Sequence, residues 1–163
     1  MSQCTFDYVA KIYGQKQMFL RCTVSAEAVI SVVFVESVKG KSSCKDKKFL
    51  KIRKQLVSFL DCYFKGKEKE MSVEVEQEGT DFQKKVWKVI CGIPYGKTMS
   101  YKEVAQKIGR PQTSRAVGTA CGKNKCAILV PCHRVVSSAG KDTGYRWGID
   151  KKSIFLELEN QTL

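Results

Sequence analysis

A cysteine and the only histidine of the chain are neighbours, Cys132 and His133. The thiolate is a far better nucleophile than the thiol, and roughly a few per cent of a free cysteine is ionised at neutral pH. A nearby imidazole can take up the thiol proton, so these residue types indicate nucleophilic chemistry. Adjacency alone leaves a buried structural cysteine as an open alternative, because neighbouring side chains on a strand point to opposite faces.

The residues around this pair suit a shaped pocket. The apolar run Ile128–Val130 and then Pro131 lead into the cysteine, and Arg134–Val136 follow it. Full ionisation of a thiol increases its reactivity roughly 30-fold at most. Orientation of the electrophile against the sulfur can contribute on the order of 7–11 kcal/mol. We therefore expect the cysteine to lie against a buried apolar wall.

The elements that must position this pair form an α+β protein, and its first domain, residues 1–77, is a small α/β unit. Runs of strand-forming residues at 6–13, 18–24 and 29–35 predict three strands, and an alternating run at 72–77 predicts a fourth. Between them lies an amphipathic helix whose apolar positions are Phe49, Ile52, Leu56, Phe59, Leu60 and Tyr63. We find no catalytic constellation in this domain.

The second domain, residues 78–163, is expected to be mainly helical. The spacing of apolar residues predicts a first helix over 81–91. Ser100 stands three residues ahead of Glu103, which is the spacing of a capping box and predicts the start of a short helix. A glycine-containing turn separates it from a helix over 113–121, and two helices joined in this way form a helix-turn-helix.

The charge of the chain favours a polyanionic partner. The 163 residues carry a formal net charge of +13, and such an excess of lysine and arginine is typical of nucleic-acid-binding proteins. A hydrophobic content of 43% excludes wholesale disorder. No apolar run approaches the length of a membrane span, so we expect no membrane partner.

The eight cysteines are dispersed through the chain without a Cys-x-x-Cys pair. With a single histidine available, a Cys/His zinc site is not favoured, and we predict no metal. The sequence shows no basic-then-apolar leader, which indicates an intracellular protein, cytoplasmic or, in a eukaryote, nuclear. In such a compartment the cysteines are expected to be reduced.

The segment Pro131–Val135 resembles the acceptor-cysteine signature of the O6-alkylguanine-DNA alkyltransferases, most closely that of bacterial members. The likeness runs from about Asp81 to Glu159. The other shared stretches are Arg115–Gly118, Asn124 and Gly144–Gly148. Lys125 stands where many members have proline, so a turn of the family is altered here. The resemblance implies a ribonuclease-H-like first domain and a second domain that binds DNA and accepts an alkyl group.

The resemblance also implies roles in a reaction. Cys132 would accept the alkyl group, His133 would take the thiol proton through a water, and Glu159 would hold the second nitrogen of that histidine. Tyr101 would donate a proton or hydrogen bond to the departing guanine. Asn124 would tie the turn after the recognition helix to the active-site strand, in addition to the left-handed helix cap that an asparagine at this place indicates.

A base inside a duplex must leave the stack to reach a pocket thiol. Small residues on the helix over 113–121 allow close approach to another helix or to a minor groove about 6 Å wide, and the resemblance favours the groove. It implies that Arg115 fills the vacated stack, that Tyr101 crowds the phosphate of the rotated nucleotide, and that Tyr145 forms a wall of the base pocket. The alternatives are a phosphate contact for the arginine and a buried aromatic role for Tyr101. The remaining candidates for contact with the base or the DNA are Ala116, Gly118, Thr119, Lys123, Lys125, Val135, Ser138 and Arg146.

These features predict direct, irreversible transfer of an alkyl group from O6-alkylguanine in double-stranded DNA to Cys132, with O4-alkylthymine as an open second substrate. Each molecule would act once and need no cofactor, because the lesion is the alkyl donor. We expect a monomer and leave cooperative binding open. One alternative is a non-catalytic protein that flags alkylated bases. A second is a helix-turn-helix regulator, which would need polar base-reading side chains on the recognition helix. A Cys-His protease or amidase would leave the basic helix-turn-helix unexplained.

Overall fold

The computed structural model describes residues 2–12, 17–38, 46–67, 72–138 and 144–160. The α+β class predicted from the sequence is confirmed. The chain divides into two compact units, one of residues 1–77 with 125–129 and one of residues 78–124 with 130–163. The sequence analysis placed 125–129 in the second domain, whereas its packing groups this stretch with the first unit.

Within the described residues, the first unit contains a four-stranded sheet and one α-helix. The strands are β1 (Cys4–Lys11), β2 (Gln17–Val24), β3 (Ala28–Val35) and β4 (Glu74–Val75), in that order across the sheet. The pairs β1–β2 and β2–β3 are antiparallel, and β4 is parallel to β3. Helix α1 (Leu50–Tyr63) follows a 3-10 turn at Lys47–Phe49 and buries the apolar side predicted for it. Of the strand predicted over 72–77, Glu74–Val75 form β4, and the amide of Glu76 also donates to the carbonyl of Val29 at 2.9 Å.

The stretch 125–129 joins the first unit through backbone hydrogen bonds to β3. The amide of Val32 donates to the carbonyl of Lys125 at 2.9 Å, and the amide of Ala127 donates to the carbonyl of Val32 at 2.8 Å. Ile128 then has a φ of +71°, in the left-handed region that a β-branched residue rarely adopts. The pairing with β3 thus holds the chain in a tight turn just before the cysteine segment.

The part of the second unit that the structure describes contains four α-helices. They are α2 (Asp81–Cys91), α3 (Tyr101–Lys107), α4 (Ser114–Lys123) and α5 (Ile149–Asn160). Two short strands, β5 (Met99–Ser100) and β6 (Val135–Val136), pair in parallel. Helices α3 and α4 are the predicted helix-turn-helix, and Gly109 between them has a φ of +74°, which glycine adopts at no steric cost. Helix α4 continues two residues beyond the predicted Cys121.

Local side-chain contacts explain where α2 and α3 begin. Thr80 and Gln83 form a capping box at the start of α2, and Ser100 and Glu103 form the predicted one at the start of α3. The indole Nε1 of Trp87 donates to the carbonyl of Ala120 at 3.0 Å, so this tryptophan fastens α2 to α4. Local sequence therefore determines where α2 and α3 begin, and contacts such as that of Trp87 determine how the helices pack.

Two further sequence predictions concern the oxidation state of the cysteines and the absence of membrane-spanning segments. Cys4 is disulfide bonded, so the prediction that every cysteine is reduced is wrong. Among the described residues the cysteines in thiol form are Cys22, Cys62, Cys91, Cys121, Cys126 and Cys132. None of the helices in the described ranges is both long and apolar enough to cross a membrane.

Candidate active site

Cys132 is the first residue of a 3-10 turn, Cys132–Arg134, and its side chain is almost fully buried. Its amide donates to the carbonyl of Val130 at 2.8 Å, which tightens the chain around Pro131. The expected active-site strand is therefore absent at the cysteine, and strand β6 begins only at Val135. Proline cannot donate a ladder hydrogen bond, which favours the turn at this point.

The cysteine sulfur is held by Asn124, the residue that ends α4. The amide Nδ2 of Asn124 donates to the carbonyl of Val130 at 2.8 Å and to the Sγ of Cys132 at 3.3 Å. Its backbone has φ −58° and ψ 127°, so the predicted left-handed cap is wrong. The side chain of Asn124, which is fully buried, instead connects the end of α4 to the cysteine turn.

A buried carboxylate organises the two residues that follow the cysteine. The Nε2 of His133 lies 2.7 Å from the Oε1 of Glu159 on α5. Arg134 donates to both oxygens of the same carboxylate, at 2.9 and 3.1 Å, and the amide of Gly96 donates to it at 3.1 Å. Because His133 and Glu159 are 0% and 1% exposed, this network is screened from solvent.

The protonation states of this network follow from burial and hydrogen bonding. Burial by itself would raise the pKa of Glu159, but the hydrogen bonds from His133 and Arg134 outweigh it and lower the pKa to about 2. Burial lowers the pKa of His133, although its contact with Glu159 acts in the opposite direction. His133 is therefore neutral at physiological pH. A neutral imidazole beside an ionised carboxylate donates through Nε2, which leaves the Nδ1 lone pair as a base.

The cysteine thiol is protonated in the resting structure. Burial raises the pKa of Cys132 well above its usual value, and a hydrogen bond with the side chain of Cys121 raises it further. The contact from Asn124 acts in the opposite direction and is outweighed. Because the Cys132 thiol is protonated, it becomes a nucleophilic thiolate only when a base removes its proton.

The sulfur opens onto a cavity of about 660 Å³, within the size range of small-molecule sites. The cavity includes several residues that the sequence analysis selected, namely Tyr101, Arg115, Gly118, Cys132, Ser138, Tyr145 and Arg146. The hydroxyl of Tyr145 is buried and has no hydrogen-bond partner among the described residues. Burial raises the pKa of this phenol well above its usual value, so it stays protonated.

Other selected residues lie outside this cavity. Ala116 and Thr119 are exposed on α4, and Lys123 is exposed in its last turn. Val135 is buried in β6. Lys125 belongs to the first unit, where its amide donates to the Oε1 of Gln77 at 3.0 Å.

Three residues of the site had no role in the sequence analysis. Cys121 lines the same cavity as Cys132, and Arg134 donates two hydrogen bonds to the carboxylate of Glu159. Lys152 on α5 is only 1% exposed and donates from Nζ to the carbonyl of Val135 at 2.6 Å. Its ammonium also lies 5.8 Å from the ring centre of Tyr101, close enough for a cation–π contact. The available signal was the helical spacing that places Lys152 on the same side of α5 as Glu159.

The second unit matches a known protein family. Residues 81–161 match the family model of the 6-O-methylguanine DNA methyltransferase DNA-binding domain. The methylated-DNA–protein-cysteine methyltransferase of Methanosarcina barkeri is 52% identical over 104 residues, which cover 64% of this chain. A crystal structure of Mycobacterium tuberculosis O6-methylguanine methyltransferase is 34% identical with a TM-score of 0.77, covering 98% of this chain and 94% of that one. This chain belongs to the O6-methylguanine-DNA methyltransferase family.

Family membership confirms the resemblance drawn from Pro131–Val135. A further member, Mycobacterium tuberculosis OGT, was solved in complex with DNA; it is 37% identical with a TM-score of 0.76, covering 96% of this chain and 94% of that chain. The chain spans 66% of the length of the Methanosarcina barkeri relative. The Cys132–His133–Glu159 arrangement and Asn124 all fall within the residues that the methyltransferase family model matches.

Proposed function

We propose that this protein repairs DNA by transferring an alkyl group from O6-alkylguanine to Cys132. One observation carries the proposal: a buried thiol faces a cavity of about 660 Å³, and the next residue is a neutral histidine held by an ionised carboxylate. A thiol, a base and a pocket are the parts that alkyl transfer to sulfur requires. The names of the relatives support the same reaction.

The proton states give the order of events. His133 takes the thiol proton at Nδ1, directly or through a water, while Glu159 stabilises the imidazolium that forms. The sulfur then attacks the alkyl carbon, so the S–C bond forms as the bond from that carbon to O6 breaks. Tyr101, on the cavity wall, donates a proton or hydrogen bond to the guanine, which leaves as the normal base.

The product explains why each molecule would act once. A thioether is not hydrolysed under mild conditions, so the alkylated cysteine is not regenerated. No cofactor takes part, because the alkyl donor is the lesion itself. We propose that the protein acts as a monomer, since a single chain supplies the thiol, the histidine and the carboxylate that the proposed reaction needs.

Delivery of the base requires contact with double-stranded DNA. In our proposal α4 enters the minor groove, and Arg115 occupies the space left by the rotated nucleotide. Arg115 is exposed and lines the cavity, and a guanidinium can both stack and hydrogen-bond there. The DNA complex of the Mycobacterium tuberculosis relative supports DNA as the partner. Such a role fits an intracellular location.

The test is mass spectrometry of the protein after incubation with duplex DNA that carries one O6-methylguanine. We expect one methyl group on the Cys132 peptide, in stoichiometric yield and without added cofactor. A duplex with O4-methylthymine, run in parallel, measures the preference between the two lesions. Cys132→Ser should bind the duplex and accept no methyl group.

Three results would speak against the proposal. Methyl transfer to another residue would remove Cys132 from its role. Tight binding to the lesion without transfer would favour a protein that only flags alkylated bases. If Cys132→Ser also lost DNA binding, the cysteine would be a structural residue of the turn.

A further inference from the structure

A second thiol, Cys121, lies in the same cavity as Cys132. Cys121 is on α4, lines the cavity together with Cys132, and is near enough for its side chain to raise the pKa of that thiol. Both residues are in thiol form and buried, with exposed fractions of 9% and 3%, and both line the cavity. The proposed alkyl transfer uses only one of these two sulfurs.

The backbone around the two thiols is held in place. Asn124 follows Cys121 by three residues, and its side chain is hydrogen-bonded to the carbonyl of Val130 and to the sulfur of Cys132. The end of α4 and the cysteine turn are thereby fastened to each other. Both thiols face the same cavity, and two cysteines can be bridged by rotation about their side-chain torsions when their Cα atoms lie within about 7 Å.

We infer that Cys121 and Cys132 form a reversible disulfide, which makes Cys121 a modification site that switches off the acceptor cysteine. This inference rests on the proposed function for its consequence, the loss of alkyl acceptance. The bond itself depends only on the two thiols and an oxidant. The oxidant that fits the site is a low-molecular-weight disulfide, RSSR, small enough to enter the cavity.

The exchange balances in two steps. The Cys121 thiolate attacks one sulfur of RSSR, forms a mixed disulfide and releases RS⁻. The Cys132 sulfur passes its proton to His133, attacks the Cys121 sulfur and expels the second RS⁻. The protein loses two electrons and two protons, and one RSSR becomes two RSH. Any dithiol reductant reverses the process.

Reversibility distinguishes this modification from the other fates of Cys132. Alkylation gives a permanent thioether, and oxidation beyond the sulfenic acid is irreversible. A disulfide with Cys121 protects the sulfur from both fates until a reductant returns. A single-use acceptor gains more from such protection than a cysteine that turns over.

The experiment exposes the fully reduced protein, without DNA, to hydroxyethyl disulfide. Remaining thiols are then alkylated, and unreduced peptides are analysed by mass spectrometry. We expect a Cys121–Cys132 cross-linked peptide whose mass is two hydrogens below the sum of its two reduced peptides, which separates this bond from the disulfide of Cys4. Methyl acceptance from O6-methylguanine duplex should fall about tenfold, because a sulfur in a disulfide is not a nucleophile, and dithiothreitol should restore it.

Three variants serve as controls. Cys91→Ala removes another cysteine whose thiol influences that of Cys132, and it should form the cross-link as the parent does. Cys121→Ala and Cys121→Ser should form none, and each is compared with its own reduced form so that any effect on basal transfer cancels. A Cys91–Cys132 cross-link, or Cys132 recovered only as a thiol or a mixed disulfide, would overturn the inference.

The two proposals fail separately. If the reduced protein accepts no methyl group but the cross-link forms, the alkyltransferase proposal falls and the modification site stands. If the reduced protein accepts a methyl group and no cross-link forms at any oxidant concentration, only the modification site falls.

Discussion

Glu159 determines the chemistry of the site although it is distant from the cysteine in the sequence. Its carboxylate accepts hydrogen bonds from His133, Arg134 and the amide of Gly96. These contacts keep it ionised, and the ionised carboxylate fixes the tautomer of the histidine. Because the same carboxylate pairs with Arg134 in a buried setting, we expect it to contribute to stability as well as to the proposed reaction.

Glu159→Gln is predicted to slow methyl transfer by about 10- to 1,000-fold, because the neutral amide no longer stabilises a protonated His133. Single-turnover rates with O6-methylguanine duplex measure the effect. DNA affinity, measured in parallel, should change little. An unchanged transfer rate would show that the carboxylate has no part in activating the thiol.

The same variant changes the acid stability of the protein. The folded-state pKa of Glu159, about 2, lies below its unfolded value of about 4.3. A carboxyl depressed in this way stabilises the fold above the unfolded pKa, and that stabilisation, about 3 kcal/mol at most, is lost as the pH falls from about 4.3 to about 2. Urea unfolding at graded pH should show a shallower acid decline for Glu159→Gln than for the parent. Parallel pH profiles would contradict this assignment.

At the scale of elements, α4 has a buried side and an exposed side, and only the exposed side is proposed to contact DNA. Its buried side includes Val117, Ala120 and Cys121, and Ala120 accepts the indole hydrogen bond of Trp87. Its other side presents Arg115 and small residues. A Cβ atom added at Gly118 would lie 3.7 Å from the nearest atom of Tyr101, an ordinary contact. Packing inside the protein therefore does not require glycine at this position, and a role toward DNA would.

Gly118→Ala is predicted to keep or increase stability, by up to about 1 kcal/mol, because alanine favours the helix. It should weaken binding to duplex DNA, because the added methyl group stands where α4 would approach the groove. Fluorescence anisotropy with an undamaged duplex measures affinity, and thermal unfolding measures stability.

The matched control is Gly122→Ala on the same helix, where an added Cβ atom meets nothing within 4 Å. If Gly118→Ala bound DNA as tightly as this control, the proposed face of α4 would not contact the groove.

At the scale of the whole molecule, the net positive charge favours association with DNA. The net charge of +13 attracts a phosphate backbone whatever its base sequence. The proposed repair reaction needs such an affinity, because the protein must search undamaged duplex before it meets a lesion. In the proposed reaction, the cavity then binds a single rotated nucleotide next to Cys132.

Affinity for undamaged duplex DNA is predicted to fall steeply as salt rises, because each phosphate neutralised releases a counterion, with a slope of log K against log salt of about −0.9 per contact. Titrations between low and physiological salt measure this slope. Arg115→Ala should reduce it by about one contact if the arginine also touches a phosphate. A flat response would contradict the charge argument.

The sequence by itself determined the features whose partners lie a few residues away. The capping box of α3, the three long strands and α1 depend on local spacing, and they stand within about two residues of where the sequence predicts them. The signature at Pro131–Val135 likewise identified the family, because its residue types are contiguous.

The tertiary structure alone decided the features whose partners are distant in sequence. Arg134 meets Glu159, Lys152 meets the carbonyl of Val135, and the stretch 125–129 pairs with β3. Residue type alone does not predict these contacts. A lysine on a helix, for example, is ordinarily exposed to solvent, whereas Lys152 is buried. Burial then fixed the proton states of the cysteine and the histidine, because desolvation depends on the whole surrounding fold.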